Sequence, residues 1–66
     1  MTRRFSSVIK ERRTALGLSQ RALAQRVGVS DAYITQLETR ERTNPSLDVL
    51  KKLAKALKVS VAELMT

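Results

Sequence analysis

The chain lacks cysteine, histidine and tryptophan, and its 66 residues include one proline, one tyrosine, one phenylalanine and two glycines. Each absence excludes something. Without Cys or His there can be no zinc finger, no disulfide framework, and no Ser-His-Asp or Cys-His catalytic group. Six carboxylates, one phenol and the lysines are a poor catalytic kit. No converging acid–base pair is visible, so the reading is that the chain is not an enzyme and takes no metal or cofactor. The longest apolar runs are two or three residues, too short to span a bilayer or form a signal-peptide core. A cytoplasmic location is therefore expected. Scarce aromatics and the lack of long apolar–polar alternation argue against strands.

Acidic residues are also few: six against thirteen Lys and Arg, a net charge of +7. Such an excess points to a polyanionic partner. The length allows one small domain, residues 1–66, and not two. A domain of about 60 residues buries only roughly 60% of its unfolded surface. Stability must then come from well-packed helices, good caps, and a second subunit or bound partner.

What is present is helical. Ser19, Ser30, Ser46 and Ser60 each follow an apolar residue or Pro45 and each has an apolar residue four places later. That is the pattern of an N-cap with a hydrophobic staple, and Ser60 with Glu63 adds a capping box. A first helix places Phe5, Ile9, Arg13 and Leu16 on one face and stops at Gly17, with Thr2, Ser6 or Ser7 as candidate caps. The second spans about 20–26, burying Leu23, Ala24 and Val27. The third spans about 31–39, with Ile34 and Leu37 inward. The fourth spans about 47–57, with Leu47, Leu50, Leu53, Ala54 and Leu57 on one side. The fifth covers 61 to about 65. The fold class is all-α, with five helices.

The segment around Gly28 carries the strongest signal. Leu23, Val27, Val29, Ile34 and Leu37 stand where two short crossing helices face each other and the first helix. Ala24 supplies the small residue for a close crossing, and Gly28 a turn residue tolerant of positive φ. The stretches LGLSQRALAQRVGVSDAYITQLE and NPSLDVLKKLAKALKVSVAEL resemble the Cro/phage-repressor (xenobiotic-response-element) family of helix-turn-helix regulators. The resemblance covers residues 8–64, leaving a short N-terminal arm (1–5). It implies a compact five-helix, lambda-repressor-like DNA-binding domain whose helix-turn-helix occupies about 20–39 and whose third helix enters the DNA major groove.

The resemblance also implies roles. Asp31, Ala32 and Gln36 match positions that read base edges, flanked by Tyr33 and Thr35. Gln20 and Ser30 match backbone-contacting positions, and Arg40, Arg42, Thr43 and Asn44 fall in a loop that grips phosphate. Arg13 and Glu38 match a structural salt bridge between the first and third helices. Two departures stand out. Thr39-Arg40-Glu41-Arg42 replaces the common Asn-Gly after Glu38, so the glycine that often ends the recognition helix is missing. Residues 31–39 carry no Lys or Arg and a net charge of −2, against +6 for 1–30 and +3 for 40–66. Phosphate attraction would come from the flanks and base reading from neutral and acidic groups, so a half-site depending little on Arg–guanine readout from the third helix is expected.

Plainer readings apply elsewhere. Lys51, Lys52, Lys55 and Lys58 suit the solvated face of an amphipathic helix. Arg3 and Arg4 suit either a tail or a DNA-contacting arm. Val61, Leu64 and Met65 either close the core or form a two-fold interface. Taken together, the expectation is a dimeric repressor or controller protein reading an inverted repeat in a double-stranded DNA operator. The alternative is an antitoxin-type module that binds a toxin protein as well as its operon DNA.

Overall fold

A computed structural model describes residues 5–42 and 45–65 of the chain, apart from the Met65 side chain. The described residues form five helices: α1 Phe5–Ala15, α2 Gln20–Val27, α3 Asp31–Thr39, α4 Leu47–Leu57 and α5 Val61–Met65. The four serines start α2 to α5 as their spacing predicts. Ser19, Ser30 and Ser46 are extended N-caps whose hydroxyls accept from the N–H groups of Ala22, Tyr33 and Val49 at 3.0, 3.1 and 3.3 Å. Ser60 completes its box in both directions. Its hydroxyl accepts from the Glu63 N–H, and its own N–H donates to the Glu63 carboxylate, both at 3.0 Å. Those Ser60 hydrogen bonds hold the Glu63 carboxyl below its ordinary pKa. The box is therefore complete above the ordinary glutamate range and opens as pH falls through the lowered value.

Helix α1 begins at Phe5, so Ser6 and Ser7 lie inside the helix, with Ser6 buried, and neither serves as its cap. Thr2 lies outside the described residues.

The helix ends divide into two kinds. Gly28 closes α2 at φ 83°, and a β-carbon added there would meet nothing within 4 Å. Glycine is favoured at this corner by its backbone angle, not by crowding. Arg40 and Lys58 close α3 and α4 at φ 71° and 59° despite carrying side chains. A left-handed residue other than glycine costs about 1–2 kcal/mol. Lys58→Gly is accordingly expected to stabilise the chain by about 0.5–1 kcal/mol after the added freedom of the unfolded glycine is subtracted. A thermal melt should show this as a rise of about 3–6 °C.

Helix α2 packs on α3 and α4, while α1 packs on α3, α4 and α5. Between them Ile9, Leu23, Ile34, Leu37, Leu53, Leu57 and Leu64 are fully buried, joined by Val8, Ala24, Val27, Leu50 and Ala54. Two sequence readings need correction. Leu47, placed on the inner side of α4, is 61% exposed. It is the first residue of its helix, one turn before the stripe reaches the core. Leu64, a candidate for a two-fold surface, is completely buried and closes the core between α1 and α4. Val61 is half-buried. Lys51, Lys52, Lys55 and Lys58 are exposed, and Lys52 meets Asp48 one turn earlier at 3.2 Å. None of the described helices is long and apolar enough to cross a membrane.

Candidate nucleic-acid interface

Helix α3 is held from its inner side and open on its outer one. Ile34 and Leu37 are wholly buried, whereas Asp31 and Ala32 are exposed and Tyr33, Thr35 and Gln36 are half-buried. Ser30 caps its start, orienting the first-turn N–H groups with the positive end of the helix dipole, an arrangement that suits a phosphate oxygen.

The inner edge of this helix is tied down by a polar cluster spanning three helices. The Arg13 guanidinium donates through Nε to Glu38 Oε2 at 2.6 Å and through Nη2 to Oε1 at 3.1 Å. Its Nη1 donates to the Leu18 carbonyl at 2.8 Å, which fixes the turn between α1 and α2. The side chains of Arg13 and Glu38 are only 12% and 4% exposed. The hydrogen bond to Glu38 raises the Arg13 pKa above its ordinary value, against the desolvation that lowers it.

Gln20 joins the same cluster. Its Nε2 donates to Glu38 Oε1 at 3.0 Å, and its Oε1 accepts from the Thr35 hydroxyl at 2.8 Å. The sequence reading gave Gln20 a phosphate contact and Thr35 a place beside the base readers. In the free chain both side chains also lock the start of α2 against the middle of α3. An amide nitrogen has two N–H groups, so one remains on Gln20 for a phosphate.

The segment after α3 departs furthest from expectation. Arg40 takes the left-handed turn, and the Thr39 hydroxyl donates to Glu41 Oε1 at 3.0 Å. The chain then doubles back, with the Arg42 N–H donating to the Gln36 carbonyl at 3.1 Å. The Arg42 side chain follows: its Nε donates to Gln36 Oε1 at 3.2 Å, and its guanidinium carbon lies 4.8 Å from the centre of the Tyr33 ring. Arg42 therefore lies on the face of α3 that carries Tyr33 and Gln36. Thr43, Asn44, Arg3 and Arg4 lie outside the described residues.

One participant had no signal in the sequence. Arg12 donates through Nη2 to the Leu57 carbonyl at 3.3 Å, tying α1 to the end of α4 across 45 residues of chain. A cation at a helix C-terminus complements its dipole, but nothing local to Arg12 announces which helix end it will reach. Among the described residues no cluster of carboxylates could hold a metal ion.

The comparisons with known proteins agree with this architecture. A helix-turn-helix family model matches residues 9–64. An uncharacterized HTH-type transcriptional regulator of Mycobacterium tuberculosis is 48% identical over 54 residues, covering 82% of this chain and 38% of that protein. SinR of Bacillus subtilis, an HTH-type transcriptional regulator, is 39% identical over 57 residues, covering 86% of this chain and 51% of SinR. The chain thus spans about half or less of these relatives' length. Among solved structures, the P22 c2 repressor in complex with a synthetic operator superposes with a TM-score of 0.92 at 37% identity, covering 98% of this chain and 97% of that one. With the family model covering most of the chain and its two crossed helices in place as α2 and α3, the protein belongs to the Cro/phage-repressor-like helix-turn-helix family.

Proposed function

We propose that this chain is a sequence-specific double-stranded-DNA-binding transcriptional regulator, acting as a homodimeric repressor or controller on an inverted repeat. The observation that carries this reading is α3 itself. It is anchored by Ile34, Leu37 and the Arg13–Glu38 pair, with Asp31, Ala32 and Gln36 on positions open to a groove. The major groove of B-DNA is wide enough for such a helix. Support comes from the similar P22 c2 repressor and from SinR, both of which have been solved with DNA. Asp31 can accept from cytosine N4, Ala32 can touch a thymine methyl, and Gln36 can hydrogen-bond adenine. Two subunits related by a two-fold axis would place their α3 helices in successive major grooves about 34 Å apart.

Selection from a random duplex library tests this directly. The expected winner is a palindromic motif, and Gln36→Ala should relax one base position at a cost of about 1–3 kcal/mol. No enrichment above the starting library would sink the reading.

A further inference from the structure

Helix α3 contains no Lys or Arg, yet the commonest specific base contact is a bidentate one from a basic side chain to guanine O6 and N7. We propose that Arg42 supplies this contact from outside the helix, as a guanine-reading residue oriented by Gln36 and Tyr33. The inference rests on the DNA-binding reading above and names a residue that the resemblance implied would only grip phosphate.

Three observations converge on it. The backbone of Arg42 is held to α3 through its N–H, which donates to the Gln36 carbonyl at 3.1 Å. Its guanidinium lies over the Tyr33 ring at 4.8 Å, a distance at which an aromatic face attracts the cation. Its Nε is engaged by Gln36 Oε1 at 3.2 Å. Among the described residues, the two terminal Nη nitrogens have no partner. A guanidinium engaged through Nε keeps its terminal edge available, and that edge can present two parallel N–H donors. Two donors matched to two acceptors on one base edge is the geometry that guanine offers and that a lone phosphate oxygen does not require.

The same bond changes what Gln36 does. With Oε1 already accepting from Arg42, its Nε2 is the freer end, and it suits a base acceptor next to the guanine. Gln36 and Arg42 then read adjacent positions as a unit, with Tyr33 as the platform beneath. This revises the expectation of little Arg–guanine dependence: the helix lacks the arginine, but the turn after Arg40 returns one to its face.

The test is duplex selection with the wild-type chain, Arg42→Ala and Arg42→Lys, followed by titration of the selected duplex with 7-deazaguanine at the chosen guanine. The wild type should select one guanine per half-site. Arg42→Ala should lose about five- to 150-fold of discrimination there while keeping the other positions. Arg42→Lys should keep the salt dependence of binding but lose much of that guanine preference, because the charge survives and the fork does not. Removing guanine N7 should weaken the wild type and leave Arg42→Ala unaffected. A wild-type motif left unchanged by Arg42→Ala, with affinity lowered equally for all duplexes, would overturn this inference and leave the DNA-binding reading intact. No motif from the wild type at all would overturn both.

Discussion

Arg13→Ala should lower the melting temperature by about 12–24 °C while leaving base preference unchanged. The side chain removed is nearly buried, and its loss strands a Glu38 carboxylate that is 4% exposed, together with the Leu18 carbonyl. Breaking a buried pair by deleting one partner costs about 3–5 kcal/mol. The lower end applies because Gln20 still donates to Glu38 Oε1. About 3 kcal/mol corresponds to that fall in a domain of this size. Deleting both charges with apolar residues of similar volume should recover part of the loss, since the large effect comes from the uncompensated carboxylate. A melting temperature within 2–3 °C of wild type, about the shift of a neutral surface substitution, would show that the pair does not secure α1 to α3.

The second large effect is expected at Leu37→Ala. Leu37 is fully buried between Gln36 and Glu38, so one turn of α3 carries a base-reading candidate, a core side chain and the ion-pair acid in succession. Truncating a buried leucine costs about 2–5 kcal/mol. A chain this short has only roughly 3–10 kcal/mol of stability in all. The variant should therefore carry a much larger unfolded fraction near 37 °C than the wild type, judged by far-ultraviolet circular dichroism. Its outer face is untouched, so selected duplex DNA at about 100 times its dissociation constant should restore about 2.7 kcal/mol and refold much of the population. If DNA gives no refolding, α3's binding face and its core face are not parts of one cooperative unit.

Most of this architecture is legible in the sequence because the helix signals are chemical and local. A serine at the start of α2 to α5 and a glycine after α1 and α2 leave few alternatives for those boundaries. Where the stop residue is Arg40 or Lys58, its type gives no warning of a left-handed backbone, and only the chain path reveals it. Val8 escaped the periodic reading because α1 is covered on more than one side, by α3, α4 and α5, which widens its buried face beyond a single stripe. Leu47 failed in the opposite sense, as an apolar residue in the right register at the uncovered end of its helix. At the interface, the paired places of Arg13 and Glu38 follow from the family resemblance and not from spacing, since 25 residues separate them. The inward turn of Gln20 and the return of Arg42 onto Tyr33 and Gln36 depend on how side chains from different elements meet. No periodicity encodes that.

The net charge of +7 is spread unevenly along the chain. Helix α3 carries −2, and the excess lies before and after it, where Arg40 is exposed at the end of α3 and the exposed lysines line α4. On the proposed DNA-binding reading, such a division gives backbone attraction to the flanks and discrimination to α3 with Arg42 beside it. The measurement that tests it most directly is affinity against salt concentration, for the selected inverted repeat and for a scrambled duplex of equal length. If each subunit of a dimer neutralises about four phosphates, log K should fall with log salt at a slope of roughly −7 for the selected repeat. The scrambled duplex should also weaken steeply and remain the poorer ligand throughout. Affinity that stays flat from low to physiological salt, or that is equal for the two duplexes, would contradict the account.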